Sequence, residues 1–301
     1  MSGELVKLNE YLQSNATLVD EYLSRKLRFP SAPSSLEEAM RYGSIGGGKK
    51  VRASLLFAAG EGFSLDPESL LPLAGGIEMI HSFSLVHDDL PCMDDDDYRR
   101  GKPSLHRAFG ESMGVLAGDA MLIEGFRFFL SDTVFLSKFG EKTVLSLTNT
   151  LLDALGTEGM VGGQVLDLEA EEKTVSRDTV HRIMRMKTAA LIRACVVCGA
   201  LAGRGDEEEL MLLSEFGRLL GECFQLKDDI LDLTASSHIL GKTAGKDVAQ
   251  EKATLIRIEG MEEARDALSS TFQKALSYLG RIERSFPRLR ELSCFIVERK
   301  K

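Results

Sequence analysis

The sequence predicts an all-α protein, and three observations carry that expectation. Apolar residues recur with helical periodicity along the whole chain, from SLEEAMRYG to MEEARDALSSTFQKALSYLGRIERSF. No valine- and isoleucine-rich alternating segment bounded by turn pairs stands out, so strands find little support. Aromatics make up 7% of the 301 residues, prolines number 7 and tryptophan is absent, which suits helices better than a sandwich or barrel.

SLEEAMRYG opens with a serine and places acidic residues in its first turn, a usual helix start. GGGKKVRASLLFAAGEGF is a glycine cluster leading into an apolar helix. LPLAGGIEMIHSFSLVHDDL reads as a long helix that stops at Leu90, because Pro91 disfavours the α conformation of the residue before it. SMGVLAGDAMLIEGFRFFL, the run around 143–155, DTVHRIMRMKTAALIRACVVCGALAG and LMLLSEFGRLLGECFQLKDDILDL continue in the same style. No low-complexity linker and no fixed-period repeat divides the chain, so one domain over 1–301 is expected.

Hydrophobic residues at 44% and charged residues at 28% are ordinary for a globular protein. Lysine and arginine total 37 against 46 acidic residues, a formal charge of −9 that argues against a nucleic-acid partner. Five cysteines, an odd number in a long chain, do not form a disulfide framework. Cys195 and Cys198 lie inside AALIRACVVCGALAG with no second pair to complete a metal site, and read as small buried helix residues. A reducing cytoplasm is expected. The opening MSGELVKLNEYLQ has no basic region followed by an apolar core. The most apolar stretches are interrupted by charge, as at Arg127 and Arg193, so no transmembrane segment is expected.

The stretch from His81 to Lys102 carries the strongest chemical signal. His81, Ser84 and Asp88 share one helical face, and the helix ends just after Asp88 and Asp89. Asp94, Asp95, Asp96 and Asp97 follow, so six aspartates fall within ten residues. Two carboxylates about 4 Å apart repel by roughly 4 kcal/mol at an effective dielectric near 20, and a helix C-terminus disfavours anions further. A solvated acidic turn is the plain reading of such a run. A hard divalent cation held by oxygen ligands is the functional one, and magnesium suits it. Arg99, Arg100, Lys102 and Arg107 come directly after, placing base for an anion beside acid for a cation.

FQLKDDILD places Asp228 and Asp232 one helical turn apart, with Asp229 about 100° around. A carboxylate pair in an apolar helix is costly to bury unless paired or metal-bound, although an exposed helix edge would also accept it. If the two acidic helices face each other, their carboxylates can share magnesium with a diphosphate. Gly46 to Arg52 add a glycine cluster with Lys49 and Arg52 one turn apart, which can cradle an anion or form an exposed basic loop. Lys187, Thr188, Lys242, Lys246 and Lys252 supply further polar and cationic positions.

These motifs, in the order GGGKKVR, EMIHSFSLVHDDLPCMDDDDYRRGKPSLH, VLAGDAML, GMVGGQVLDLEAE, MKTAALI, FQLKDDILD and LGKTAGKD, resemble the trans-isoprenyl diphosphate synthases over about residues 38–260. The resemblance implies a helical bundle around a deep central cavity, a single polyprenyl synthetase domain and a homodimer. It implies a prenyltransferase that condenses dimethylallyl or geranyl diphosphate with isopentenyl diphosphate. Asp88, Asp89, Asp94, Asp228, Asp229 and Asp232 would bind about three Mg2+ ions and the allylic diphosphate. Arg99, Lys187, Thr188, Gln225, Lys242 and Lys252 match positions contacting that diphosphate, and Lys49, Arg52, His81 and Arg100 match those holding isopentenyl diphosphate. Asp88, Asp89, Arg99, Lys187, Asp228 and Lys242 would carry the catalytic step.

In this family the residue five before the first aspartate helps set product length. Here it is Phe83, next to Ser84 and about 7.5 Å along the helix from Asp88. A bulky ring there favours farnesyl diphosphate, with geranylgeranyl diphosphate the alternative product, while a Phe83 that projects about 140° from Asp88 also fits as ordinary core. A terpene cyclase would not need the Lys49, Arg52 and His81 set, and a non-catalytic partner subunit would be expected to lose metal aspartates. Two departures from the family pattern are present. Ala53 stands where proline is common, and Thr254-Leu255-Ile256 lacks the usual tyrosine-proline, which bears on the Lys252 assignment.

Overall fold

The computed structural model describes residues 2–171, 173, 175–240 and 254–299, with the backbone alone at 2–6 and 235–240. The architecture is all-α, as expected. The chain divides into two compact units, Met1–Leu145 and Ser146–Lys301. The boundary falls inside one helix, α8 (Glu141–Leu155), rather than in a linker. No shift in composition marks that point in the sequence.

The first unit contains α1 (Ser2–Lys26), α2 (Ser34–Ser44), α3 (Val51–Gly62) and α4 (Leu71–Asp88). A two-residue antiparallel pair follows, β1 (Tyr98–Arg99) against β2 (Lys102–Pro103), then α5 (Leu105–Phe109), α6 (Glu111–Leu130) and α7 (Thr133–Phe139). This β pair was not expected, because two residues are too few to show alternation. It turns the chain tightly after the aspartate run, with Arg100 and Gly101 both at positive φ.

Helix α4 is the core of this unit and packs most extensively on α6. The close approach depends on Gly76, where an added Cβ would lie 2.3 Å from the carbonyl oxygen of Gly125 on α6. From Leu71 to Ile80 every α4 residue is buried. The stretch Pro67–Asp88 is long and apolar enough to cross a membrane, but 78% of its most apolar window is buried by the rest of the chain. A helix enclosed in a protein core has the same composition. The helix ends at Asp88, two residues earlier than Pro91 predicted, since Asp89 and Leu90 close a turn through bonds to Leu85 and His87.

The second unit contains α9 (Met160–Ala170), α10 (Arg177–Ile183), a π-helical turn at Met184–Ala189, α11 (Ala190–Ala202) and α12 (Glu207–Leu240). It closes with α13 (Leu255–Glu259), α14 (Met261–Leu279) and α15 (Pro287–Glu298). Helix α12 is central, bounded by α11 and α14. Val180, Met184, Cys223, Leu226, Ile230, Leu255 and Leu268 form a buried cluster on one side of it. All five cysteines are free, and Cys195, Cys198 and Cys223 are buried, as helix-packing residues should be.

Gly76→Ala should destabilise the protein by about 1–3 kcal/mol, because the new methyl group meets backbone rather than a mobile side chain. Urea denaturation measures this, and an unchanged midpoint would show that the α4–α6 crossing is loose.

Candidate functional site

In the first unit the aspartate run wraps back on the end of α4. The Asp94 amide donates to the Asp88 carbonyl at 2.9 Å, and the Met93 amide donates to Leu90 at 2.8 Å. Asp88 and Asp94 are therefore drawn together by backbone bonds. Asp89 is buried, 2% exposed, and Arg99 holds its Oδ1 through Nε and Nη2 at 2.5 Å. Arg99 also reaches Asp96 at 3.2 Å. Burial pushes the Asp89 carboxyl up to about 6, Arg99 opposes that rise, and Asp96 and Asp88 add to it.

Arg52 donates to Nε2 of His81 at 2.9 Å. A guanidinium can only donate, so this imidazole nitrogen accepts and the ring is neutral. Burial, followed by the charges of Arg52, Arg100, Lys50 and Arg99, holds His81 well below its ordinary range. Arg100 lies along the glycine loop and donates to the Gly47 carbonyl at 3.2 Å. Lys49 is exposed at the start of this basic run. Lys50, which drew no attention in the sequence, turns inward: its side chain is 1% exposed and bonds Ser44 O at 2.7 Å and Asp20 at 3.2 Å. Its left-handed backbone, φ 45°, produces that turn.

A small cleft in this unit is lined by Asp89, Arg99 and Arg100 together with Tyr42, Gly47, Lys102 and apolar neighbours. Asp95, Asp97 and His106 also bring potential ligand atoms within 4.8 Å of one another, a grouping the sequence did not reveal. Asp97 is paired with Arg107. Phe83 is buried and meets the His87 ring edge-on at 5.1 Å, while the Ser84 hydroxyl donates to the His81 carbonyl at 2.9 Å.

In the second unit the π-helical turn presents Lys187 and Thr188. Lys187 binds Asp167 of α9 at 2.6 Å, and Thr188 donates to Gln225 of α12 at 2.6 Å. Gln225 in turn donates to Asp229 at 2.8 Å. A small cleft is lined by these five residues with Ile183, Met184 and Thr254. Gly163 allows the approach of α9, since a Cβ there would lie 2.3 Å from the Lys187 nitrogen. π-helical turns gather at functional sites, and periodicity alone cannot locate one.

Asp229 is 8% exposed. Burial pushes its carboxyl up to about 7, the bond from Gln225 opposes this, and Asp228, Asp232 and Asp167 raise it further. Asp232 is exposed, and Asp228 is half-buried with Arg299 on its Oδ1 at 2.7 Å. Neither Asp167 nor Arg299 was expected. Asp167 sits in the GQVLDLEAE motif, but Arg299 lies 71 positions from Asp228 and left no sequence signal. Lys242, Lys246 and Lys252 lie outside the described residues.

The donor set fits a hard divalent ion. All six expected ligands are carboxylates, and burial holds the two enclosed ones, Asp89 and Asp229, above their ordinary range, where a bound cation would stabilise the charged form.

The polyprenyl synthetase family profile matches residues 33–285. The chain belongs to the polyprenyl synthetase family. It is 38% identical to the farnesyl diphosphate synthase of Bacillus subtilis (strain 168), over 97% of this chain and 98% of that one. It is 43% identical to the heterodimeric geranylgeranyl pyrophosphate synthase large subunit 1, chloroplastic, of Arabidopsis thaliana, over 85% of this chain and 69% of that one. Among solved structures, an apo FPP/GFPP synthase from Zymomonas mobilis matches at TM-score 0.85 and 36% identity, covering 97% of this chain and 99% of the other. The match confirms the all-α isoprenoid synthase fold expected from the motifs.

The raised Asp229 carboxyl has a defined pH consequence. Its folded value of about 7 exceeds the ordinary 3.8, so between those values the folded state binds the extra proton. Stability of the metal-free protein from this group therefore falls as pH rises from about 4 to 7. Asp229→Asn should flatten that fall in urea titrations across the range, and an unchanged slope would contradict the burial argument.

Proposed function

We propose that this chain is a magnesium-dependent trans-prenyltransferase that joins an allylic diphosphate to isopentenyl diphosphate and releases diphosphate. The observation that carries this reading is that each unit sets a buried metal-type carboxylate beside diphosphate-type residues: Asp89 is bonded by Arg99, and Asp229 by Gln225, which also accepts from Thr188. The family match across both units supports treating them as one synthase domain.

On this reading Asp88, Asp89, Asp94, Asp228, Asp229 and Asp232 hold about three magnesium ions. When bound, magnesium supplies Lewis-acid stabilisation of charge on the leaving diphosphate. Arg99, Lys187, Thr188 and Gln225 orient the allylic diphosphate, and Lys242 and Lys252 belong to the same set. Lys49, Arg52, Arg100 and His81 hold isopentenyl diphosphate. A neutral His81 contributes a hydrogen bond there without adding a further charge beside the three cations. No protein nucleophile is required: the carbon–oxygen bond to diphosphate breaks, the isopentenyl double bond attacks the allylic carbon, and a proton passes to the released diphosphate. The surrounding apolar residues must exclude water, which would quench the cation.

Farnesyl diphosphate is the product best supported, by the near full-length similarity to the Bacillus enzyme and by a buried Phe83 five residues before Asp88. Geranylgeranyl diphosphate is the second reading, favoured by plant relatives at up to 44% identity. Helix α6 exposes Leu116, Ile123 and Leu130 at seven-residue spacing, an apolar stripe that supports a homodimer. Five free cysteines agree with a cytoplasmic setting.

The purified chain with magnesium, isopentenyl diphosphate and dimethylallyl or geranyl diphosphate should yield a fifteen-carbon product. Chelation should abolish turnover. Asp88→Ala and Asp228→Ala should each lower kcat by at least about 100-fold, and Phe83→Ala should lengthen the product. No consumption of isopentenyl diphosphate would refute the reading.

A further inference from the structure

A second arginine treats a metal-type aspartate much as Arg99 treats Asp89. Arg299 follows α15, which is anchored by the fully buried Leu289, Leu292 and Ile296. Its Nη2 donates to Asp228 Oδ1 at 2.7 Å and to the Phe224 carbonyl at 3.1 Å. The guanidinium also lies over the Phe224 ring, 4.1 Å from its centroid. Phe224 and Asp228 are one turn apart on α12, so three contacts fix the cation along a single helix edge. The arginine side chain is 12% exposed against 39% for the aspartate. The enclosed partner is thus the cation, and the carboxylate keeps a solvent-facing side.

A guanidinium does not deprotonate in proteins, so this charge is permanent. It offsets repulsion on Asp228 from the neighbouring Asp229 and Asp232. A divalent ion that takes Asp228 Oδ1 meets a positive charge already bonded to that oxygen. We propose that Arg299 is a positioning residue for Asp228: it holds the carboxylate in place before metal binds and competes with the metal for the same oxygen. This rests on reading Asp228 as a metal ligand. The competition keeps the metal-free aspartates from splaying apart and weakens metal binding in the absence of diphosphate, whose own charge compensates the arginine.

A helix end merely tacked onto α12 would affect stability and nothing else. The experiment is Mn2+ binding to the full chain without substrate, followed by electron paramagnetic resonance. Arg299→Gln should bind Mn2+ about threefold to tenfold more tightly than the parent, the scale of a partly exposed ion pair. Asp228→Asn should weaken binding, and the double variant should match Asp228→Asn alone. Arg299→Gln with unchanged or weaker binding, while Asp228→Asn still weakens it, overturns the inference. If Asp228→Asn has no effect, the metal reading of Asp228 falls and takes the inference with it. Should Arg299→Gln not fold, an arginine Nε NMR signal absent from Arg299→Lys serves on the parent chain. It should shift on Mg2+ addition, and a signal that ignores Mg2+ overturns the inference.

Discussion

The structure depends on keeping carboxylates neutralised where neither water nor the helix backbone can do it. Asp89 sits at the C-terminus of α4, where the aligned peptide dipoles disfavour a negative charge, and it is almost fully buried. Arg99 supplies the compensating charge. The second unit repeats the arrangement with different residues: Arg299 on Asp228, and Lys187 on Asp167. Asp229 accepts from Gln225, and burial pushes its carboxyl up as it does that of Asp89.

This constraint shapes the chemistry. On the proposed reading Arg99, a diphosphate contact, already sits beside Asp89, a metal ligand, and Arg299 holds Asp228, so these polar groups are held in position without ligand. Binding then exchanges one set of ionic partners for another instead of ordering loose side chains, which lowers the reorganisation cost. Packing enforces the same economy. Gly163 lets α9 press against the π-helical turn that carries Lys187, and Gly76 brings α4 close enough to α6 to bury the helix leading to Asp88.

Much of this was legible in the sequence because it is local. The α4 helix, its terminal aspartates and the arginines after them lie within the single stretch Leu71–Arg100, and backbone bonds within it fold it on itself. The pairings that escaped notice link distant positions or depend on backbone conformation. Arg299 meets Asp228 across 71 residues, and Lys50 turns inward only because its φ is positive. The two-residue β pair is shorter than any periodic signal. The π-helical turn rephases side chains by less than periodicity resolves, so Lys187 could be assigned by motif but not by face. Lys242 and Lys252, legible as motif positions, lie outside the described residues.

On the proposed reading the two aspartate sets are metal ligands for a diphosphate. A crystal grown with Mn2+ and inorganic diphosphate tests it most directly, through anomalous scattering from the metal. Peaks should appear on the carboxylates of Asp88, Asp89 or Asp94 and of Asp228, Asp229 or Asp232, with diphosphate oxygens completing the coordination. Peaks confined to Asp95, Asp97 and His106, or metal bound without diphosphate as a ligand, would contradict it.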